Sequence, residues 1–338
     1  MRRWIAALVV AAALTGCGED EEAPVAQAAT TLARTVATPS TTARPRLPTG
    51  ADRPLPAVFR GVTTDTAWNV PELTAAIRGH SVDPFVRIVL DPQPRPEAYR
   101  PAVEALRPHA YLMALLLDST ALRRFTPAQA AERAEAYVQA YGDRIDLWEI
   151  GNELNGSWVG RSPEEINAKV QAAFEVVKVR HDKPVAVTLN FWSGPNCYAK
   201  PWEATLDFAR GMPEAVRRGT DVVTLSVYET ACRPAQRPSA AELGDMLAAL
   251  SALFPNAKLA IGETGAQGTE DGLAKDPSFA KKKAIAVRSY SMHQDLRARF
   301  GERFVGGYFW WYYAEDAVPR RRRQSLWPTI DRLLASLS

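Results

Sequence analysis

Ile145-Asp146-Leu147-Trp148-Glu149-Ile150-Gly151-Asn152-Glu153-Leu154-Asn155 opens as a short apolar run and ends in polar side chains, and the helical-period stretch Pro163–Arg180 follows it. A strand that delivers polar groups at its carboxyl end and then gives way to a helix is one unit of a parallel α/β sheet. The same alternation recurs on both sides. Strands are expected at Val58–Thr63, Phe85–Leu90, Tyr111–Leu117, Ile145–Ile150, Val185–Asn190, Val222–Val227, Lys258–Gly262 and Val305–Trp310. Between them helices are expected in stretches such as Pro71–Arg78, Pro96–Leu106, Pro127–Tyr141, Pro163–Arg180, Trp202–Ala209, Ala240–Phe254 and Phe279–Phe300. Several open with proline, whose missing N–H costs nothing in a first turn. Eight strand–helix repeats without a glycine-rich phosphate loop favour a closed (β/α)8 TIM barrel over a doubly wound sheet.

Chemistry in such a barrel sits at the carboxyl ends of the strands. Asn152 and Glu153 stand just past strand four, and Glu263, in Leu259-Ala260-Ile261-Gly262-Glu263-Thr264-Gly265, ends strand seven. Two carboxyl groups facing each other across the mouth meet the requirement of glycoside hydrolysis. One protonates the leaving oxygen; the other attacks or activates water.

These residues resemble clan A of the glycoside hydrolases, whose hallmark is Asn-Glu after strand four and Glu after strand seven. The likeness runs from Val58 to the carboxyl end, and Trp148-Glu149-Ile150-Gly151-Asn152-Glu153 is its most specific part. It implies a retaining glycosidase with Glu153 as acid/base, Glu263 as nucleophile and Asn152 as a donor to the sugar 2-hydroxyl, the two carboxyl groups standing about 5–5.5 Å apart. By position it also implies that Tyr228 hydrogen-bonds the nucleophile, that Arg87 holds the same carboxylate ionised, and that a tryptophan ending strand eight floors the reactive subsite. Of the adjacent Trp310 and Trp311 one faces inward, and Trp310 is the expected one. Arg87 has an alternative role as a buried structural ion pair, with Asp91 as a partner.

Trp68, Trp158, Trp192 and Trp202 follow strand ends, where an indole face suits stacking on a sugar ring; Trp158 and Trp192 are the best placed. Asn155 and Asn190 are expected to add hydroxyl contacts. One departure stands out. Many clan members carry a sugar-contacting histidine around strands three or six, whereas here strand three ends in Leu117-Asp118-Ser119 and no histidine precedes Tyr228. That motivates a competing reading, a catalytically silent barrel that binds an envelope polysaccharide. A transglycosylase using the same carboxylates is the third.

At the amino terminus, Arg2 and Arg3 precede an apolar run from Trp4 to Leu14 that ends in Leu14-Thr15-Gly16-Cys17. The run is too short for a membrane span, so residues 1–16 read as a signal peptide. The final four residues resemble a bacterial lipobox, with Cys17 lipidated and the protein attached to the cell envelope through that lipid alone. The alternative is an ordinary secretory signal cleaved nearby. Residues 17–56, rich in Ala, Thr and Pro, are expected to form a disordered tether, leaving 57–338 for the barrel.

Cys197 and Cys232 are the remaining pair in an oxidising compartment, expected to form a disulfide between the loops after strands five and six, with two free thiols as the alternative. A net charge of +3 is mild, and the basic run Arg320 to Arg323 reads as a solvated loop. Carbohydrate is therefore the expected partner and nucleic acid is not. The four histidines fall on helices or helix–strand connections by this reading, so neither a metal nor a cofactor is implied.

Overall fold

A computed structural model describes residues 46–48, 53–93, 95–232, 234–266, 277–318, 320 and 323–338. The signal peptide, Cys17 and nearly all of the expected tether lie outside the described residues. Eight parallel strands close a barrel in chain order: β1 (Phe59–Thr64), β2 (Phe85–Val89), β3 (Tyr111–Leu115), β4 (Leu147–Glu149), β5 (Val185–Asn190), β6 (Val222–Val227), β7 (Lys258–Thr264) and β8 (Phe304–Trp310). None of the described helices is long and apolar enough to cross a membrane.

The expected helices form with local signals at their starts. Thr126 and Gln129 exchange side-chain and backbone hydrogen bonds around the start of Pro127–Tyr141, and Ser239 and Glu242 do the same before Ala240–Leu253. Each box satisfies two amide N–H groups that the first turn leaves unpaired. Four helices differ from expectation; Trp202–Ala209 is a 3-10 turn at Pro201–Glu203 followed by a helix over Thr205–Gly211. Pro96–Tyr99 is a 3-10 turn that leads into Arg100–Leu106; Pro101 lacks the N–H that a continuous helix would use there. The stretch from Pro163 turns π-helical over Glu175–Arg180, and Phe279–Phe300 divides at Met292.

Side chains alternate between the barrel interior and the layer under the helices. The interior floor is Phe59, Phe85, Met113, Leu147, Ala186, Val222, Ala260, Val305 and Phe309, with Leu55 packed against it from below. Full burial of each large apolar side chain contributes about 1.5–3 kcal/mol, so the floor is a solid plug rather than a channel. Beneath it Arg53 reaches Asp146 Oδ2 at 2.6 Å, and Asp146 accepts from the Leu112 amide at 2.7 Å. The folded unit thus begins before residue 57. Asp146 belongs to this lower rim, which is one reason β4 is shorter than the Ile145–Ile150 expected.

Candidate active site

Above the apolar floor the interior turns polar. Arg87 on β2 sends Nε and Nη2 to the two oxygens of Glu149 on β4, both at 2.6 Å, and Nη1 to Glu263 Oε2 at 2.7 Å. Glu149 also accepts from the Thr188 hydroxyl of β5, which in turn meets Thr224 of β6 at 2.7 Å. Arg87 and Glu149 are fully buried. An ion pair at that depth persists only with matched geometry and full hydrogen bonding, and the planar fork of Arg87 supplies both.

Two irregularities aim the functional carboxyls. In β7 the register steps from Leu225 opposite Ile261 to Ser226 opposite Glu263, so Gly262 is an inserted residue. Ala260 faces the floor, and strict alternation would turn Glu263 outward; the bulge turns it in. A side chain at Gly262 would clash with Thr224 Oγ1 and stand 2.6 Å from its Cβ. After β4 the chain makes an excursion: Thr188 donates its N–H to Gly151 O and accepts at its own carbonyl from the Leu154 N–H, with Asn152 and Glu153 between. Glu153 takes φ 52°, a left-handed conformation that costs a non-glycine residue about 1–2 kcal/mol. Strain of this kind persists where the surroundings over-determine it.

Glu263 is held by three partners: Arg87, the Tyr228 hydroxyl to Oε1 at 2.6 Å, and Asn152 Nδ2 to Oε2 at 3.3 Å. Glu153 has one, the Ser226 hydroxyl at 2.8 Å from Oε1. Burial raises both carboxyls above the ordinary range. For Glu263 the Arg87 charge and the Arg87 and Tyr228 hydrogen bonds oppose that rise without cancelling it. For Glu153 burial and then the negative charge of Glu263 push the carboxyl up to about 8. The Glu263 rise is opposed by a cation and two hydrogen-bonding groups, whereas Glu153 is pushed further by the Glu263 charge, so Glu153 is the group held protonated near neutral pH.

Glu153 lines a cavity of about 360 Å³ with Trp158, Asn190, Trp192, Ser226 and Tyr228. Trp158 and Trp192 meet edge to face at 6.2 Å. Cys197 and Cys232 are joined by a disulfide, Cα atoms 4.5 Å apart, which ties together the loops after β5 and β6 at the cavity wall. Gln236 clasps the same loops, donating Nε2 to the Phe191 and Tyr228 carbonyls and accepting from the Ser193 amide.

Three placements differ from the sequence reading. Trp310 is not at the mouth: it is fully buried in the outer layer, with Nε1 donating to Asp316 Oδ2 at 2.9 Å. Phe309 points into the floor, so alternation turns Trp310 out and Trp311 in, and the Arg87 guanidinium lies 5.1 Å from the Trp311 ring centre. Asn155 is a buried tie, donating to the carbonyls of Asn190 and Glu203 and accepting from the Asn190 amide. Asp91 is not the partner of Arg87; Glu149 and Glu263 are. Trp68 stands exposed against Tyr99, and Trp202 packs on Phe208.

Glu149, Ser226, Trp311 and Asp118 are site residues that the sequence reading did not assign. Glu149 had a signal: a carboxylate within a buried strand must find a cation, and the other strands hold two arginines, Arg60 and Arg87, of which Arg87 is the fully buried one. Among the described residues no group of three or more His, Cys, Asp or Glu side chains could hold a metal ion.

No family model and no curated protein matches the chain. Solved glycosidase structures do. A GH2 beta-galacturonidase from Eisenbergiella tayi is 13% identical with a TM-score of 0.55, covering 86% of this chain and 55% of its own. A glucosidase from Croceicoccus marinus is 14% identical with a TM-score of 0.52, covering 82% and 67%, and a beta-glucosidase from Exiguobacterium marinum is 16% identical with a TM-score of 0.50, covering 71% and 77%. The chain spans about half the length of the galacturonidase. At such identities the likeness is one of fold: this is a barrel of the kind on which these glycosidases are built.

Proposed function

We propose that the chain is a retaining hydrolase of β-glycosidic bonds, with Glu263 as nucleophile and Glu153 as acid/base. The observation that carries this reading is the unequal holding of two carboxyls, among the described residues three donors including a cation on the buried Glu263 and one hydroxyl on Glu153, which lines the cavity. In the first step Glu263 Oε attacks the anomeric carbon while Glu153 passes its proton to the leaving oxygen, so the glycosidic bond breaks and a glycosyl ester forms. In the second, Glu153, now a carboxylate, takes a proton from water as the water oxygen attacks the same carbon, and Glu263 leaves as a carboxylate. Asn152 beside Glu263 and the Trp158–Trp192 corner of the cavity would position the sugar.

Proton NMR of the first product anomer released from aryl β-glycosides tests this reading. Retention gives the β-anomer before mutarotation. Glu153→Ala with azide should yield the β-azide from activated substrates, and Glu263→Ala with azide the inverted one. An α-anomer formed first by the parent enzyme contradicts the mechanism, and an inert parent returns the chain to the silent-barrel reading. A sugar acceptor in place of water would reveal transglycosylation from the same intermediate.

The envelope attachment belongs to the same proposal. Lipidation of Cys17 would give stable anchoring where more than one acyl chain is present. Cys17→Ala should release an active barrel from the membrane fraction; unchanged membrane fractionation would refute it.

A further inference from the structure

We infer that Asp118 selects the sugar by charge, so that the glycone entering this site carries hydroxyl or amino donors and no carboxylate. The inference rests on the glycosidase reading above and deepens it to a substrate class, a neutral or amino sugar rather than a uronic acid. Asp118 follows β3 and accepts from Asn152 Nδ2 at 3.1 Å, and that same nitrogen reaches Glu263 at 3.3 Å. Its carboxylate therefore stands one amide group away from the reacting carboxyl. Asp118 is partly exposed, and the next two residues, Ser119 and Thr120, line the cavity with Glu153.

Two further observations agree on what this wall asks of a ligand. Asn152 is fully buried, and its Oδ1 has no hydrogen-bond partner among the described residues. A buried acceptor left unpaired is costly, and a ligand donor removes that cost. Next to it the Asp118 carboxylate is a pure acceptor. The negative charge of Asp118 also reaches both reacting groups, contributing to the upward displacement of Glu153 and of Glu263.

A uronate carboxylate in the same cavity would meet Glu153, which lines it, in the field of the Glu263 and Asp118 charges that already act on Glu153. Arg87 offers it little relief. Its three nitrogens are already spent on Glu149 and Glu263 at 2.6–2.7 Å, and the side chain is fully buried. An ammonium or hydroxyl group on the sugar finds partners on this wall, whereas an anion finds like charge, and like-charge juxtaposition is a strong device of rejection.

The test uses the full-length enzyme and matched aryl β-glycosides that differ only at C6, glucoside against glucuronide and galactoside against galacturonide, with the 2-amino-2-deoxyglucoside beside them. The parent should favour the neutral member by about 100-fold or more in kcat/KM, the discrimination that one close like-charge contact near a protein surface produces. Asp118→Asn should narrow that ratio by roughly tenfold and lower the preference for the amino sugar over the glucoside, and Asp118→Glu should restore the parent's ratio. A merely structural role would change both members of a pair alike and leave the ratio where it was. Preference of the parent for a uronide overturns the inference without any variant, and so does an Asp118→Asn ratio equal to the parent's. If no glycoside in the set is hydrolysed and no fluoroglycoside labels Glu263, the glycosidase reading itself fails, and the role of Asp118 falls with it.

Discussion

Nη1 of Arg87 lies 2.7 Å from Oε2 of Glu263, while the other two nitrogens of that guanidinium hold Glu149. One cation thus serves two buried carboxylates on different strands. Replacing it with Met should cost about 3–5 kcal/mol in denaturant unfolding, because it strands both charges. Adding Glu149→Leu to that variant should recover much of the stability while kcat/KM stays low, since Glu263 still lacks its cation. Arg87→Lys keeps the charge but loses the fork. Activity returned by Glu149→Leu in the Met background would contradict the assignment.

Activity should be bell-shaped in pH. The productive form has Glu263 ionised and Glu153 protonated. Glu263 sits above the ordinary carboxylate range through burial, and Glu153 is pushed to about 8 by burial and by the Glu263 charge. The acid limb of kcat/KM is therefore expected above 4.5, the ordinary value for a Glu carboxyl, and the basic limb near 8. Glu153→Ala should abolish the basic limb on substrates with good leaving groups. A profile flat up to pH 10 in the parent would refute Glu153 as the proton donor.

The same carboxyl makes a prediction about stability. Burial and the Glu263 charge push it up to about 8 in the folded protein, from an ordinary value of 4.5. Between those values the folded protein holds a proton that the unfolded chain has lost, so this group makes stability fall as pH rises from 4.5 to 8. Glu153→Gln removes that loss. Its stability should match the parent's near pH 4.5 and exceed it at pH 8 by an amount on the order of 2 kcal/mol or more, read from unfolding midpoints. A variant less stable than the parent at pH 8 would contradict the burial argument.

The two adjacent tryptophans should separate cleanly. Trp310→Ala opens a buried void and removes one of two donors to Asp316, which keeps Lys282, costing about 3–5 kcal/mol of stability with kcat little changed in the folded fraction. Trp311→Ala should leave the unfolding midpoint nearly unchanged and impair turnover. The reverse pattern would restore Trp310 to the site.

Much of this architecture was legible because each strand end announces itself, apolar residues giving way to Asn152-Glu153, to Tyr228 or to Glu263. The rest depended on phase and on distance. Phe309, Trp310 and Trp311 are all aromatic, so nothing local shows which of them faces in; the floor decides, and Phe309 belongs to it. Glu263 faces in only because the bulge at Gly262 adds a residue, a feature of pairing with β6 rather than of the β7 sequence. Glu149 meets Arg87 across 62 positions of chain, with β3 between their strands. Asp118 gave only the absence of an expected histidine, and its partnership with Asn152 spans 34 positions.

The central claim is that Glu263 forms a covalent bond to the sugar. Incubating the full-length enzyme with 2-deoxy-2-fluoro β-glycosides that have good leaving groups, followed by intact mass and peptide mapping, tests it most directly. The account predicts time-dependent inactivation, a mass increase of one fluoroglycosyl group, and a modified peptide in which Glu263 carries the ester; Glu263→Ala should acquire no label. Label on Glu153 or any other residue, or an unlabelled enzyme that still hydrolyses the parent glycoside of the inhibitor, would contradict it.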